Sequence, residues 1–287
     1  WSWGLDTEGQ LGRTAQAWYT AAGRVADVPP MVQLATGSAH VLALDSEGTV
    51  WSWGANAAGQ LGHGTLQASR QARAVTLPVP VQRVAAGDTH SLALDVEGQL
   101  WAWGANNHGQ TGLAEAAYFS RPQRVRLAFA PTHIDGGMFY TVALAAQGEV
   151  YAWGWNGLGQ AGHSTRTSSH QPTAIRALRN ITLLAAGSSH VLASNGQQVF
   201  AWGDNRSAAC GAAAGGWTGC RAASAAKTST IVIPAKAGIH VLRTRVVWIP
   251  AFAGMTRFMS FRSRNGIRAA PWRTAPSPAP AARGCRR

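Results

Sequence analysis

Acidic residues are missing from the last quarter of this chain, and lysine is nearly missing from all of it. Residues 212–287 hold thirteen Lys plus Arg and no Asp or Glu, whereas residues 1–211 hold twelve Arg, no Lys and twelve acids, a formal charge of zero. The net charge of +13 therefore belongs to the C-terminal quarter, and a basic surface over the whole protein is excluded. Cysteine is scarce too. The three present, at 210, 220 and 285, are odd in number and have no metal-ligand spacing, so neither a disulfide framework nor a metal site is expected. No apolar run reaches the ~20 residues of a membrane-spanning helix, and the stretch around Ile231–Met255 is broken by Lys, Arg and Pro. No nucleophile–base pair, phosphate-binding glycine loop or carboxylate pair stands out. No catalytic residue and no cofactor are therefore expected, and the chain does not read as an enzyme. It opens on Trp1, inside a repeat and without Met, and so reads as a fragment. A cytoplasmic location is the expectation, with export as the alternative.

What the chain does have is tryptophan and glycine at a fixed period. WSWGLDTEGQLG begins at Trp1, WSWGANAAGQLG at Trp51, WAWGANNHGQTG at Trp101, YAWGWNGLGQAG at Tyr151 and a worn copy, FAWGDNRSAACG, at Phe200. A period of 50 residues in residues this particular is the signature of a repeat architecture. One copy parses into four extended segments: MVQLATG (31–37), HVLAL (40–44), TVWSWG (49–54) after the turn DSEG, and QARAVTLP (71–78). The third repeats the pattern at Val81–Gly87, His90–Leu94 and Gln99–Gly104. The fifth is one residue shorter, with Asn195-Gly196 suited to a tight hairpin. Four short strands in each 40–50 residues predict the blades of a β-propeller.

Trp51 and Trp53 stand two apart and face one side of the strand. They are expected to seal neighbouring blades, a ligand cage being the alternative. Gly4, Gly54, Gly104, Gly154 and Gly203 close that strand, where positive φ or close approach is expected. Gln10, Gln60, Gln110 and Gln160 are expected to bond loop backbone. His40, His90 and His190 recur in GxxH, with Tyr140 in the fourth place. Their expected role is to bond backbone within their own blade, where a Tyr substitution is more easily accepted, a metal role being the alternative. Asp45, Glu47, Asp95 and Glu97 are expected to serve turn geometry.

The succession GxxH, ALxxxG, VWxWGxNxxGQLG resembles the regulator of chromosome condensation repeat family, and the resemblance covers residues 1–211. It implies an all-β propeller of four-stranded antiparallel blades, usually seven. About four are visible here, so the ring is expected to be incomplete and the protein bacterial and truncated. The resemblance also implies three roles to weigh. Founding members are guanine-nucleotide exchange factors for a small GTPase, but they use a wedge beyond the regular repeat for which these periods leave no room. A plant ultraviolet photoreceptor carries Trp in a GWRHT motif, and the equivalents here are Ser38, Asp88, Met138 and Ser188. Similar bacterial propellers inhibit secreted β-lactamases through aromatic residues on one face.

Within a constant frame, recognition is expected where the copies differ. The long inter-blade loops expected at 12–24, 62–73, 112–124 and 162–172 offer Trp18, Tyr19, Tyr118 and Phe119 beside Arg24, Arg70, Arg121 and Arg166, types enriched at binding hot spots. The alternative is that these aromatics pin loops to the blade edge. Past Gly211 the period stops. IVIPAKAGIHVLRTRVVWIPAFAGMT resembles the translation of a dispersed bacterial DNA repeat, and residues 212–287 are expected to be a basic, disordered tail. The functional expectation is a non-catalytic scaffold for an unknown protein partner. Guanine-nucleotide exchange on a small GTPase is the first alternative, and weak nucleic-acid binding through the tail is the second.

Overall fold

A computed structural model of the chain describes residues 1–13, 19–163, 165–207, 209–210 and 221–223. Every regular element among them is a β-strand. Strands β1 (Ser2–Leu5) and β2 (Tyr19–Gly23) form a two-stranded sheet. Sheet I follows with β3 (Met31–Thr36), β4 (His40–Asp45), β5 (Val50–Gly54) and β6 (Ser69–Ala74). Sheet II has β7 (Val81–Ala86), β8 (His90–Asp95), β9 (Leu100–Ala105) and β10 (Tyr118–Val125). Sheet III has β11 (Pro131–Gly136), β12 (Tyr140–Ala145), β13 (Val150–Gly154) and β14 (Ser169–Ala174). Sheet IV has β15 (Leu183–Ala186), β16 (His190–Ser194), β17 (Val199–Gly203) and β18 (Arg221–Ala223). Each is an antiparallel meander in chain order, and none closes on itself. First strands neighbour one another from sheet to sheet, β3 with β7, β7 with β11 and β11 with β15. These are propeller blades fanning from their first strands, and the described residues do not close a ring. The outer strand of sheet IV comes from beyond Gly211, where β18 pairs with Val199–Ala201. The rest of the expected tail lies outside the described residues.

Trp53, Trp103, Trp153 and Trp202 hold one register: they pair with Val41, Ser91, Thr141 and Val191, each just before a glycine at or next to the end of its strand. Their rings fill the spaces between sheets. Trp103 packs with Leu42 and Leu44 of the preceding sheet, and Trp153 with Leu92 and Leu94. At ~25 cal/mol per Å² and 150–250 Å² per ring, each contributes about 4–6 kcal/mol, an upper estimate. Gly54 combines φ +104° with a close approach, since a Cβ there would lie 2.4 Å from Ala39 O.

Two expectations about strand placement need correction. The fourth strand of sheet I runs over Ser69–Ala74 rather than 71–78. Val75 N still bonds Val50 O at 2.8 Å, and the Leu77-Pro78 step then carries the chain toward the next sheet. The segments 62–73, 112–124 and 162–172 are also not inter-blade loops. They join the third and fourth strands of one sheet and run into its outer strand. The sheets are instead connected by the shorter segments 75–80, 126–130 and 175–182.

Candidate functional site

The side chains in the repeat's chemical positions are largely committed to structure. Gln60 Oε1 accepts Ala58 N at 2.9 Å, while its backbone O accepts Trp103 Nε1 at 2.8 Å from the next sheet. Gln10 and Gln160 give their carbonyls to Trp53 and Trp202 in the same way. Asn56 Oδ1 takes Leu61 N, and its Nδ2 donates to Thr65 O and Gln67 O, closing the glycine loop.

Asp45 serves its turn as expected, taking Glu47 N and Thr49 N on Oδ1 and Trp51 Nε1 on Oδ2 at 2.9 Å. Burial opposes its ionisation, but the bonds from Trp51, Thr49 and Glu47 outweigh burial and hold its carboxyl below the usual range. Asp95 repeats the set with Trp101. Where the aromatic is Tyr151, Ala145 replaces the Asp and the phenol donates to Glu149 Oε2.

Two of the GxxH histidines, His40 and His90, reach across to the next sheet. His40 Nε2 meets Ser91 Oγ of the next sheet at 3.0 Å, and Ser91 Oγ donates to Gln60 O at 2.7 Å. That hydroxyl has one hydrogen, so His40 is the donor. His90, Thr141 and Gln110 O repeat the relay one sheet on, at 2.9 and 2.7 Å. Tyr140 faces Val191, which has no hydroxyl, and its longer side chain instead shares its one hydrogen between Gly187 O and His190 O, at 2.9 and 2.7 Å. Burial, followed by the charges of Asp135 and Asp88, keeps that phenol protonated far into the alkaline range. Among the described residues no group of three or more His, Cys, Asp or Glu could hold a metal ion. Cys210 is buried, which raises its thiol pKa.

The residues expected to carry recognition are spread over several sheets. Trp18 lies outside the described residues, as does the side chain of Tyr19. Arg24 lines a cavity beside the two-stranded sheet. Arg70 Nη1 is held by buried Asp6 Oδ2 at 2.8 Å, tying sheet I to the two-stranded sheet. Tyr118 and Arg121 are both exposed on β10, and Phe119 packs against the core of sheets I and II. Arg166 sits apart in the loop before β14.

A different cluster comes together at the meeting of sheets II and III. The ring of His108, after β9, lies 4.9 Å from Phe139 and 6.1 Å from Trp155. Phe139 and Trp155 meet edge-on at 6.0 Å and 73°, and Phe139 O accepts Trp155 N at 2.8 Å. All three are half-buried. In sheet I the same positions are Ala58, Ala39 and Ala55. Gly157 belongs to the cluster, because a Cβ there would come within 2.8 Å of the Trp155 ring. The sequence signal was available only as single residues: His108 and Trp155 stand where sheet I has Ala58 and Ala55, and Phe139 where the other copies have Ala39, Thr89 and Ser189.

A family model described as the RCC1-like domain matches residues 1–248. No curated protein matches by sequence. Among solved structures, human WBSCR16 is 25% identical with a TM-score of 0.63, covering 70% of this chain and 56% of that one. Yeast RCC1 (Prp20), solved with Kap60 bound, is 26% identical with a TM-score of 0.58, over 68% of this chain and 47% of that one. Prp20p from Saccharomyces cerevisiae, in a structure described with its binding to Gsp1p and histones, shares the fold at 24% identity and a TM-score of 0.70. That match covers 80% of this chain and 60% of that one. The chain thus spans about half to three-fifths of the length of these relatives.

Proposed function

We propose that this chain, which belongs to the RCC1-like domain family, is a non-catalytic propeller scaffold holding a protein partner on the His108–Phe139–Trp155 cluster. One observation carries the reading. The frame spends its His, Asp, Asn and Gln on joining strands and sheets, whereas these three rings leave a half-exposed apolar surface at a sheet junction. Rings with an apolar body and a polar edge are the anchors that protein interfaces favour. The exposed Tyr118 and Arg121 on β10, with Phe119 beneath, form a second arm of the same hypothesis. A small GTPase is the first partner class to try, because Prp20p is described with Gsp1p.

The test uses replacements that sheet I already carries: His108→Ala, Phe139→Ala and Trp155→Ala together. The triple variant should melt close to the parent and lose at least tenfold in affinity for a captured partner. A parallel variant, Tyr118→Ala with Arg121→Ala, reports the second arm. Partner binding unchanged in both variants refutes the assignment. Accelerated nucleotide release from a small GTPase would instead favour the exchange-factor reading.

A further inference from the structure

In sheets I and III the turn between the second and third strands is closed by the chain that leads into the next sheet. Val81 N donates to Gly48 O at 2.8 Å, and Ile181 N donates to Gly148 O at 3.0 Å. A Cβ on Gly48 would lie 2.7 Å from Pro80 Cβ, and one on Gly148 would lie 2.9 Å from Asn180 Cα. Sheet II departs from this pattern. Pro131 stands in the place of Val81 and Ile181 and has no N–H to give, so Gly98 O loses the donor that the other two carbonyls have. A Cβ on Gly98 would meet nothing within 4 Å. The chain leading to sheet III is held elsewhere: the Phe129 ring stacks on Tyr151, with centroids 3.7 Å apart and planes inclined by 11°. Between that segment and the turn lies a cavity of about 300 Å³. Sheets I and III flank sheet II, so the opening lies within the run of blades.

The lining has two kinds of surface. Leu100, Val125, Leu127 and Phe129 supply an apolar wall that belongs to one core cluster. Gly98 and Glu97 line the cavity too, and they bring a carbonyl short of a donor and a carboxylate. Among the described residues Glu97 forms no ion pair. The guanidinium of Arg124 is bound instead to Gln99 Oε1, at 2.9 Å through Nε. Both lining groups accept hydrogen bonds. A single neutral N–H could serve one of them, whereas an ammonium brings three donors and a charge. An alkyl stem behind it would lie along the apolar wall, as lysine stems do on apolar surface.

We propose that this cavity binds a primary ammonium group carried on an alkyl stem, with Gly98 O and Glu97 as its acceptors. Two sources offer that chemistry, a lysine side chain of another polypeptide and a free alkylamine. The cavity lies at the opposite end of β9 from His108, so the site is separate from the aromatic cluster.

The experiment titrates the full chain with Nα-acetyl-lysine N-methylamide and follows the probe by NMR. This probe should bind, and the same probe acetylated on Nζ should not. Glu97→Gln should weaken binding about tenfold, the scale of one lost hydrogen bond to a charged group. Pro131→Val, which returns an N–H to the place that Val81 and Ile181 occupy, should weaken it by a similar factor. Glu47→Gln, in the covered turn of sheet I, should leave binding unchanged. Melting curves confirm that the three variants fold. Titration with 1-aminobutane separates the sources: tighter binding of the lysine probe assigns a polypeptide, and equal or tighter binding of the amine assigns a free alkylamine. No binding by the folded chain, or equal binding of the acetylated probe, overturns the proposal. So does an affinity unmoved by Glu97→Gln or Pro131→Val, or moved as far by Glu47→Gln. The partner assay on Phe139 and Trp155 is unaffected by any of these outcomes, so the two readings fail separately.

Discussion

Replacing Thr141 with Val tests whether the sheets are joined by the hydroxyl relay. The substitution keeps the shape of a fully buried side chain and removes one oxygen. That oxygen donates to Gln110 O and accepts from His90 Nε2. Two hydrogen bonds are worth ~1 kcal/mol net each, and a stranded buried donor or acceptor costs a further ~1–3 kcal/mol. The extra methyl returns about 0.8 kcal/mol, which is too little to compensate. The expected loss is about 2–4 kcal/mol, or roughly 4–16 °C in Tm for a repeat region of this size. Urea unfolding of the full chain, followed by tryptophan fluorescence and circular dichroism, measures it. The sharper outcome is in the double variant. Adding His90→Tyr to Thr141→Val recreates the Tyr140–Val191 arrangement one sheet earlier, so the new phenol should reach Gly137 O and Tyr140 O. The pair should therefore be more stable than the sum of the single losses by at least ~1.5 kcal/mol, within the range of coupling for residues in one network. Additive losses, or a Thr141→Val cost below ~1 kcal/mol, would refute the relay.

Two further perturbations follow from the same geometry. Burial lowers the pKa of His163 and His190, and burial together with the charge of Arg73 lowers that of His63. The unfolded chain thus binds more protons as pH falls past ~6.5, so stability is full above that value and declines toward the depressed folded pKa values. Replacing the three with Gln should flatten this limb of a stability–pH curve, and an unchanged limb refutes the assignment. Gly54→Ala should cost at least ~3 kcal/mol in urea unfolding, because a left-handed φ of +104° is combined with Ala39 O at 2.4 Å. Gly98→Ala, at φ +79° with open space around it, should cost only ~1–2 kcal/mol; equal costs would show that close approach is not what requires Gly54.

The fold was legible because its signals are local and repeated. Trp53 and its equivalents carry the seam between sheets, and Gly54 and its equivalents carry a φ that other residues resist. The outer strands were harder to place. SRQARA in β6 and SHQPTA in β14 are exposed or half-buried along their length, so burial imposes no alternation to read. The role of the histidines was misassigned for a different reason. GxxH looks self-contained within one copy, yet His40 is answered by Ser91, a residue of the next copy. The recognition loops drew attention by length and composition. The cluster of His108, Phe139 and Trp155 is assembled from single positions 16 to 47 residues apart, which only folding brings together.

The differences between copies are themselves ordered. Ser91 and Thr141 answer a histidine, while Val191 answers Tyr140. Asp45 and Asp95 answer an indole, and Ala145 accompanies a phenol that turns to Glu149. In each case a departure in one position is balanced by its neighbour, so these departures serve the fold and carry no separate information about a partner. The aromatic cluster stands outside this rule. His108 and Phe139 lie against Trp155, yet all three rings stay half-exposed. A frame that answers its internal changes so regularly gives weight to the place where the answer is missing, and that is where the proposed partner has most to add.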